Sequence, residues 1–509
     1  MRTYAIVGFG TAGYHALKAI RRLDAGGTVD VYTNTGLAPY NPMLTTYYAG
    51  GKLSYREMFP FGSLEEIQKT CSFRCICDTV KSVAAGRTVE TENGEVRTYD
   101  KILIATGASA FAPAIPGLEP ERRFFMRTDE DALRLSRALE DKRVKSAVVV
   151  GASMVGIKVA ELLAKRGIRT VLADLASCMF PLAAYEDVAA EIGRRVEQKG
   201  VSLRFGRTIE RVEVEAGEAE QRPDAACGDA GEQRLDAACG DAGEQRPGAG
   251  CGDVGEQRPV AGCGDAGEQR LGTGCGRVPE PESASPRRPR QIAVMTDGER
   301  LEADLVVLCI GTRANIGLAD GGIETNRAIL VNERMETSAE GIYAAGDCCA
   351  GTNIQSGERQ IIGLWANANH QGTVAGINMA GGNARFEGNI LHNITHFMDM
   401  DFIGFGDNRI QGETLVFGSL KQGLYLKAVC RDGRIAGVNI LDSYPISGMI
   451  KNYMLRLFQE PESRLPPFQI GMLVKAGLTE EFIERLEAAV HGDQGRAAES
   501  ENSVPGNGN

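Results

Sequence analysis

The amino-acid sequence predicts an α/β fold that contains two strand–turn–helix units with a common glycine spacing. In the first unit, the apolar run at residues 4–7 predicts a buried strand, and apolar residues recur at helical spacing from Ala12 to Leu23. Between the strand and the helix lie the glycines of a G-x-G-x-x-G turn, which are Gly8, Gly10 and Gly13. A turn without side chains lets the backbone approach a pyrophosphate, and the helix N-terminus offers free N–H groups to that anion. The unit therefore predicts dinucleotide binding, and the alternative is a glycine-rich turn in an α/β domain that holds no nucleotide.

A second unit of the same kind begins at Ala147. A predicted strand at residues 148–150 leads into a turn that starts at Gly151 and ends at Gly156, and a predicted helix spans residues 157–166. Ser153 replaces the middle glycine of this turn. Two such units in one chain predict a protein that moves electrons between two dinucleotides, a flavin and a nicotinamide.

The residue that ends the second strand of each unit bears on the choice of coenzyme. In the second unit, residues 170–173 predict that strand and Asp174 ends it, 18 residues past Gly156. A carboxylate there accepts a hydrogen bond from a ribose 2′-hydroxyl and repels a 2′-phosphate, so this unit is predicted to bind NAD and not NADP. In the first unit the same place holds Thr33 and Asn34. The acidic residue of the motif is missing there, and the alternative is a ribose contact through the side-chain oxygens of Thr33 and Asn34.

Composition and charge weigh against several classes of partner. The chain has 509 residues and a net charge of −11, which argues against nucleic acid or an anionic membrane surface as its main partner. No apolar run reaches the roughly 20 residues of a transmembrane helix. The first predicted strand begins at Thr3, which leaves no room for a signal peptide. We therefore expect a cytoplasmic protein whose 13 cysteines are thiols.

Two groups of cysteines are predicted not to bind a metal. Cys71, Cys75 and Cys77 fall on a predicted strand in a spacing that fits no common metal pattern, so we expect buried structural thiols. Within residues 216–290, a cysteine recurs every 12 residues from Cys227 to Cys275. The repeat copies the neighbouring residues as well, which indicates sequence duplication and a disordered segment, whereas the alternative is metal binding. This segment interrupts a predicted β-hairpin whose second strand resumes at Gln291.

Further elements are predicted from apolar runs and turn residues. Buried strands that end in glycine are predicted at 100–107, 303–311 and 341–346, a hairpin at 89–99, and a helix at 365–380. The C-terminal region predicts strands at 413–417, 424–430 and 435–441, and helices at 446–458 and 480–489. We expect the polar tail after His491 to be disordered.

Five motifs, in this order along the chain, resemble the two-dinucleotide-binding-domain flavoproteins of the pyridine nucleotide–disulfide oxidoreductase superfamily. They are the turn at 8–13, the sequence Ala105, Thr106 and Gly107, the turn at 151–156, the segment 311–315 that starts with Gly311, and the pair Gly346 and Asp347. The resemblance covers about residues 1–215 and 291–385. It implies FAD on the first unit, with Asp347 binding the ribityl or pyrophosphate part, and NAD(P)H on the second. Residues 365–372, which include Trp365 and Gln371, resemble the start of the flavin-covering helix of nitrite reductase flavin domains and coenzyme A disulfide reductases.

The resemblance also implies a domain order in which one dinucleotide-binding domain is inserted in the other. The FAD domain would comprise residues 1–112 and 316–385, and the NAD domain residues 113–315 with the insertion at 216–290. A C-terminal α+β interface domain would follow at 386–490, with a tail at 491–509. We expect the protein to form a homodimer.

Two departures from the family pattern fall on predicted catalytic positions. Thr46 stands where many relatives carry a lysine next to the flavin, and Lys158 stands where a glutamate often follows the second glycine motif. We expect the Lys158 ammonium to lie near the flavin and to favour its reduced, anionic state, whereas the alternative is a solvated lysine on the helix surface. Disulfide reductases of the superfamily carry redox cysteines shortly after the first unit, but residues 33–70 hold none. A thiol relay to the flavin is therefore not expected, and residues 39–51 are similar to a segment of rubredoxin and ferredoxin reductases.

The remaining histidines and cysteines receive structural interpretations. His370, His392 and His396 are expected to be hydrogen-bonding residues, although His396 could approach the flavin from a partner subunit. Cys348 and Cys349 are expected to pack in a helix at the flavin site, with a redox-active pair as the alternative.

The resemblance implies an NADH-dependent FAD oxidoreductase that passes electrons to an external acceptor, which would be a ferredoxin, a rubredoxin or a partner subunit. One alternative is an NADH oxidase that uses oxygen or a small organic acceptor. Another is a flavin-binding redox sensor or assembly factor with slow turnover. NADH oxidation with and without ferredoxin separates the first two functions, and negligible turnover with every acceptor would indicate the third.

Overall fold

The computed structural model describes residues 1–215 and 290–492, which belong to one compact unit. The disorder predicted for the repeats and for the tail concerns residues 216–289 and 493–509, which lie outside the described residues.

The strands are numbered in chain order through the described residues. They are β1 (Thr3–Val7), β2 (Thr28–Tyr32), β3 (Arg74–Ile76), β4 (Val80–Ala84), β5 (Thr88–Thr91), β6 (Val96–Thr98), β7 (Lys101–Ile104), β8 (Ala108–Ala110), β9 (Arg123–Phe124), β10 (Ser146–Val150), β11 (Arg169–Asp174), β12 (Val201–Phe205), β13 (Ile209–Glu215), β14 (Arg290–Met295), β15 (Arg300–Glu302), β16 (Leu305–Leu308), β17 (Thr312–Ala314), β18 (Ile329–Leu330), β19 (Ile342–Ala344), β20 (Cys349–Thr352), β21 (Arg359–Gln360), β22 (His392–Phe397), β23 (Met400–Gly406), β24 (Glu413–Ser419), β25 (Gln422–Arg431) and β26 (Arg434–Leu441).

The α-helices are numbered in the same way. They are α1 (Thr11–Leu23), α2 (Thr45–Ala49), α3 (Leu64–Cys71), α4 (Asp129–Ala138), α5 (Met154–Lys165), α6 (Glu186–Gln198), α7 (Trp365–Met379), α8 (Ser447–Gln459), α9 (Pro467–Lys475) and α10 (Glu480–His491). Among the helices of the described ranges, none combines the length and the apolar character needed to cross a membrane.

The first parallel sheet is the core of the first predicted unit. Its strand order is β19-β7-β1-β2-β3, and all of its neighbouring strands are parallel. Tyr4, Ala5 and Ile6 of the central strand β1 are fully buried, because a strand in the middle of a parallel sheet is covered on both faces. The glycine turn and helix α1 follow this strand directly, as the apolar pattern predicts.

The second parallel sheet has the strand order β12-β11-β10-β16-β9. Every residue of its central strand β10 is buried. The strands of this sheet lie in sequence between β7 and β19 of the first sheet. The predicted α/β class, with one dinucleotide unit inserted in the other, is therefore confirmed.

The C-terminal region has an antiparallel sheet, β22-β23-β26-β25-β24, packed against α8, α9 and α10. This is the α+β region that the sequence predicts, but the strands β22 and β23 and the helix α9 were not predicted. Strand β22 is largely polar, and α9 begins with two prolines, Pro466 and Pro467, at its N-terminus. A proline in the first turn is compatible with a helix because that turn needs no N–H donor there.

The structure corrects the prediction for the three early cysteines. Cys71 ends helix α3 rather than lying on a strand, and Cys77 is exposed rather than buried. The helix forms because Ser63 and Glu66 build a capping box at its start, after which the buried Ile67 and Cys71 recur at helical spacing.

Two further predictions need correction. Helix α5 begins at Met154, three residues before the predicted start, so that Lys158 lies in its second turn. Cys349 begins strand β20 and pairs with Ile329 of β18, so that it does not belong to a helix. Cys348 and Cys349 are both buried, as expected for packing residues.

Two predicted hairpins are confirmed. Strands β5 and β6 pair in antiparallel fashion around the predicted turn. Strands β13 and β14 also pair in antiparallel fashion, with Glu215 opposite Arg290. The described residues on either side of the segment 216–289 therefore lie side by side in one sheet.

A buried carboxylate joins helix α5 to the tip of the hairpin β22–β23. The Glu161 side chain is only 4% exposed and accepts from the ammonium groups of Lys158 at 2.7 Å and Lys165 at 2.6 Å. It also accepts from the backbone N–H of Met398 at 3.0 Å. Met398 and Asp399 form the two-residue hairpin tip with φ of 47° and 63°, a conformation that favours glycine or asparagine. Glu161 therefore supports a turn whose own sequence disfavours it.

Replacing Glu161 by Gln should destabilise the protein at neutral pH. Burial alone would raise the pKa of Glu161, but the bonds from Lys158, Lys165 and Met398 lower it to about 2. A carboxylate with a lowered pKa contributes stability above its unfolded value of about 4.3, and that contribution disappears as the pH falls toward the folded value. We expect a loss of about 2 kcal/mol or more at pH 7, since a buried ion pair is broken, and a smaller difference between variant and wild type as the pH approaches 3.

Urea unfolding at several pH values measures this difference. The exposed Glu484 of α10 offers a matched control, and Glu484→Gln should change the midpoint little at any pH. A Glu161→Gln protein with wild-type stability at pH 7 would contradict the role assigned to this carboxylate.

Candidate functional site

A cavity of about 600 Å³ opens at the carboxyl ends of the first parallel sheet. Most residues predicted for the first dinucleotide unit line it, namely Gly8, Gly10, Thr33, Asn34, Ala105, Thr106, Gly107, Gly346, Asp347 and Trp365. The structure thus brings together segments that are more than 300 residues apart in the sequence. The carboxyl edge of a parallel sheet is where α/β proteins bind ligands.

The three glycines of the first turn meet three different geometric demands. Gly8 has a φ of +98°, and a Cβ there would overlap the carbonyl oxygen of Ala105. A Cβ on Gly13 would overlap the carbonyl oxygen of Gly8, because helix α1 approaches the turn at backbone distance. A Cβ on Gly10 would meet no protein atom within 4 Å. Gly10 therefore faces open space in the cavity, where a side chain would occupy ligand volume.

The N-terminus of helix α1 points its free donors into this cavity. Gly10 is the N-cap, no side chain caps the helix, and the first turn carries no acidic residue. Thr11 also lines the cavity, and its buried hydroxyl oxygen has no hydrogen-bond partner within the described structure. An uncapped helix end with a free hydroxyl fits the pyrophosphate of a dinucleotide.

Asp347 is held by an arginine that the sequence analysis did not single out. Arg127 donates from Nη2 to Asp347 Oδ2 at 2.6 Å and from Nε to the carbonyl oxygen of Ala108 at 3.0 Å. The two partners are 220 residues apart, so no local pattern connects them. A guanidinium next to the aspartate places one positive and one negative group on the same wall of the cavity.

Gln371 acts behind the cavity wall rather than on it. The side chain is 1% exposed, and its Oε1 accepts from the Gly346 N–H at 2.9 Å. This bond fixes the turn that carries Asp347, so Gln371 is a positioning residue.

An aromatic stack borders the cavity at Trp365. The indole stacks on Phe61 at 5.7 Å with an interplanar angle of 9°, and Phe61 stacks on Tyr14 of helix α1 at 4.1 Å. The indole Nε1 is buried without a hydrogen-bond partner among the described residues. Trp365 therefore presents a flat side chain, held by stacking on Phe61, to the cavity that it lines.

The second dinucleotide unit repeats the geometry of the first glycine turn. Gly151 has a φ of +110°, and a Cβ there would overlap the carbonyl oxygen of Cys309. A Cβ on Gly156 would overlap the carbonyl oxygen of Gly151. Ser153 is the N-cap of α5 without a side-chain capping bond. Gly311, which follows strand β16 beyond Cys309, has open space around it and a φ of +98°.

Asp174 lies beside this second turn. Its Oδ2 accepts from the Ala152 N–H at 2.7 Å and its Oδ1 accepts from the Ala176 N–H at 2.8 Å. The carboxylate at the end of β11 is thus fixed next to the glycine turn, where the sequence predicts a contact with the adenosine ribose.

The two predicted catalytic residues lie in a separate, smaller pocket. We name it the anion pocket because four of its side chains are cationic. It has a volume of about 190 Å³ and is lined by Thr46, Tyr47, Gly50, Lys52, Lys158, Glu161, Leu162, Lys165 and Arg166. Lys158 donates to Glu161 and to the carbonyl oxygen of His396 at 2.8 Å, and its ammonium lies 4.9 Å from the centre of the Tyr47 ring. Neither Thr46 nor Lys158 lines the large cavity. That Lys158 favours the reduced flavin stays a prediction, because these contacts do not test it.

His396 has a carboxylate partner. His396 Nδ1 lies 2.8 Å from Asp401 Oδ1, and the imidazole is 60% exposed. In the part of the chain that the structure describes, no group of three or more His, Cys, Asp or Glu residues is placed to hold a metal ion.

Comparison with known proteins gives a consistent result. A family model described as pyridine nucleotide-disulphide oxidoreductase matches residues 2–239 and 280–372. The sequence is 27% identical over 461 residues to the NADH-dependent phenylglyoxylate dehydrogenase subunit epsilon of Aromatoleum evansii, covering 89% of this chain and 91% of that one.

Solved structures share the fold at low sequence identity. The water-forming NADH oxidase from Lactobacillus brevis superposes with a TM-score of 0.72 at 19% identity, covering 96% of this chain and 100% of that one. Putidaredoxin reductase, in its covalent complex with putidaredoxin, superposes with a TM-score of 0.70 at 18% identity, covering 94% of this chain and 99% of that one.

Replacing Gly10 by Val should remove the flavin that the large cavity is predicted to hold. Gly10 has a φ of −81°, so valine adds little backbone strain, but its branched side chain would enter open space at the helix N-terminus. We expect most of the flavin to be lost from the purified protein, measured as flavin absorbance per chain. Gly86, whose Cβ would also meet open space, gives the control Gly86→Val with normal flavin content. Full flavin occupancy in Gly10→Val would show that this turn does not hold the cofactor.

Proposed function

The chain belongs to the pyridine nucleotide–disulphide oxidoreductase family, and we propose that it passes electrons from NADH through FAD to an external redox protein. It is an FAD-dependent NAD(P)H oxidoreductase, since its family and its relatives transfer electrons between a nicotinamide and a flavin. The observation that carries the proposal is the pair of glycine turns, one on each parallel sheet. In each turn, a Cβ on the first or the last glycine would overlap a backbone carbonyl oxygen.

The residues of the large cavity have complementary roles in holding FAD. The N-terminus of α1 and the Thr11 hydroxyl would donate to the pyrophosphate. Asp347, held by Arg127 and by the turn that Gln371 fixes, would accept from a hydroxyl of the ribityl chain. FAD, when bound, supplies the chemistry of hydride acceptance and electron release.

Two relatives support a protein acceptor. The relative from Aromatoleum evansii is named as a subunit of an NADH-dependent dehydrogenase, and putidaredoxin reductase is described in complex with putidaredoxin. The cysteines of the described ranges also lie outside the lining of the large cavity, which favours an external acceptor over an internal thiol relay. We propose that the acceptor is a ferredoxin-like or rubredoxin-like protein or another subunit of an oxidoreductase.

The cellular location, the oligomeric state and the domain bounds that the sequence predicts belong to the same proposal. They comprise a cytoplasmic homodimer, an FAD domain at 1–112 and 316–385, an NAD domain at 113–315 and an interface domain at 386–490.

The acceptor is tested by steady-state NADH oxidation. We expect the rate with an added ferredoxin or rubredoxin to exceed the rate with dissolved oxygen alone by at least tenfold, because a protein acceptor has a docking surface that oxygen lacks. Reduction of the bound flavin by NADH should be fast in both cases, as measured by stopped-flow absorbance. A high rate with oxygen that no protein increases would indicate an NADH oxidase. Fast flavin reduction without turnover by any acceptor would indicate a sensor or assembly factor.

Coenzyme choice is tested at Asp174. The wild type should have a kcat/KM for NADH at least about tenfold above that for NADPH, since a 2′-phosphate would face the carboxylate. Asp174→Asn removes the charge and keeps one acceptor oxygen, so that one of the two bonds from the Ala152 and Ala176 N–H groups is retained, and the preference should fall toward unity. Asp78→Asn, at a residue that lines the large cavity, should leave the ratio unchanged. A wild-type enzyme that prefers NADPH would overturn the assignment of Asp174.

A further inference from the structure

We propose that the anion pocket is a binding site for a small oxyanion, such as a phosphate group. Four cationic side chains line this pocket of about 190 Å³, namely Lys52, Lys158, Lys165 and Arg166, and Glu161 is its one acidic lining residue. The pocket contains Thr46 and Lys158, whose predicted effect on the flavin is a separate question, and the inference does not depend on which acceptor takes the electrons.

The charges of the pocket do not balance. Glu161 offsets one of the four positive charges, and its two carboxylate oxygens are already occupied by Lys158, Lys165 and the Met398 N–H. Asp399 attracts Lys165 as well, but it is paired with Lys199 at 2.9 Å. Three positive charges therefore remain around one small volume. Lys52, Lys165 and Arg166 are exposed, so water and salt screen part of their mutual repulsion, and an anion bound among them would screen it further.

Two of the cations are free to bind an anion. Lys52 forms no ion pair with a carboxylate of the described residues, and its ammonium lies 5.5 Å from the centre of the Tyr47 ring. Arg166 donates to the carbonyl oxygen of Ala49 at 3.2 Å through one nitrogen, Nη2. A guanidinium has five N–H donors, so most of those on Arg166 stay available to an oxyanion.

Two of the ammonium groups of the pocket lie against the Tyr47 ring. The ring lies within 5.5 Å of two ammonium groups, those of Lys158 and Lys52. A ring face attracts each cation by about 1 kcal/mol but carries no net charge, so it holds the ammonium groups in place without neutralising them. A tetrahedral oxyanion can accept from several N–H groups of the pocket, each at a different oxygen, and we therefore expect it to bind more tightly than chloride.

The size of the pocket fits this class of ligand. A space of about 10–15 Å³ holds one water molecule, so about 190 Å³ has room for a phosphate group together with bound waters. The pocket is too small for a second dinucleotide, since the cavity on the first sheet measures about 600 Å³.

The position of the pocket gives binding a structural consequence. Thr46 and Tyr47 come from α2, which follows directly on residues that line the large cavity, whereas Lys158 and Lys165 come from α5 of the second unit. A bound oxyanion would therefore connect the two dinucleotide units through their cationic side chains. We expect it to raise the melting temperature of the protein progressively as its concentration rises above the dissociation constant.

Isothermal titration tests the proposal with the FAD-loaded protein in saturating NAD⁺, so that neither dinucleotide turn can take up phosphate. The probes are inorganic phosphate and glycerol 3-phosphate, at an ionic strength held constant with potassium chloride. We expect saturable binding of at least one probe with one site per chain. Tighter binding of the ester would identify a phosphorylated small molecule as the source, and tighter binding of phosphate would identify the free ion.

Two variants locate the site, and a third is the matched control. Lys52→Gln and Arg166→Gln should each weaken binding about tenfold, the effect of losing one charge-assisted hydrogen bond. Lys142→Gln, at an exposed lysine outside the pocket, should bind as the wild type does. Flavin content and circular dichroism confirm that each variant is folded. Absence of saturable binding in the wild type, or wild-type affinity in both pocket variants, would overturn the proposal.

Discussion

Backbone contact between helices α1 and α7 is the constraint on which the large cavity depends. A Cβ on Gly372 would overlap the carbonyl oxygen of Ala12, and a Cβ on Gly376 would overlap that of Ala16. These glycines are four residues apart on one face of α7, opposite alanines with the same spacing on α1. Small residues at this spacing let two helices approach closely, because neither side chain separates the backbones. A larger residue at either glycine would push the helices apart.

This close contact sets the position of the groups around the cavity. Helix α1 carries the glycine turn and the free Thr11 hydroxyl, whereas α7 carries Trp365 at its start and Gln371 in its second turn. Gln371 in turn fixes Gly346 and thereby the adjacent Asp347. A chain segment from the start of the sequence and one from beyond residue 340 thus form a single wall. Their relative position is determined by two glycines rather than by any group that touches a ligand.

Sequence patterns predicted the parts of the site that depend on local structure. The glycine turns, the strand ends and Asp174 follow from strand–turn–helix geometry that a short segment encodes by itself. Arg127 could not be found in this way, since its partner Asp347 is 220 residues away. The hairpin tip at Met398 was missed for a related reason. Its positive φ is stabilised by Glu161 of another element, not by a glycine in the turn.

The net charge can be calculated from the sequence, but the local clustering of charged side chains depends on the fold. The net charge of −11 argues against attraction of polyanions to the surface as a whole. It carries no information on the anion pocket, where residues from two segments more than 100 positions apart place four cations around one carboxylate. Two of these cations also balance Glu161, which must stay ionised to hold the Met398 hairpin. Because Lys158 and Lys165 are required for that buried carboxylate, the positive charge of the pocket is in part a consequence of stabilising the hairpin. An oxyanion bound by Lys52 and Arg166 would lie beside the ammonium groups that hold Glu161 and, through it, the hairpin of the C-terminal sheet.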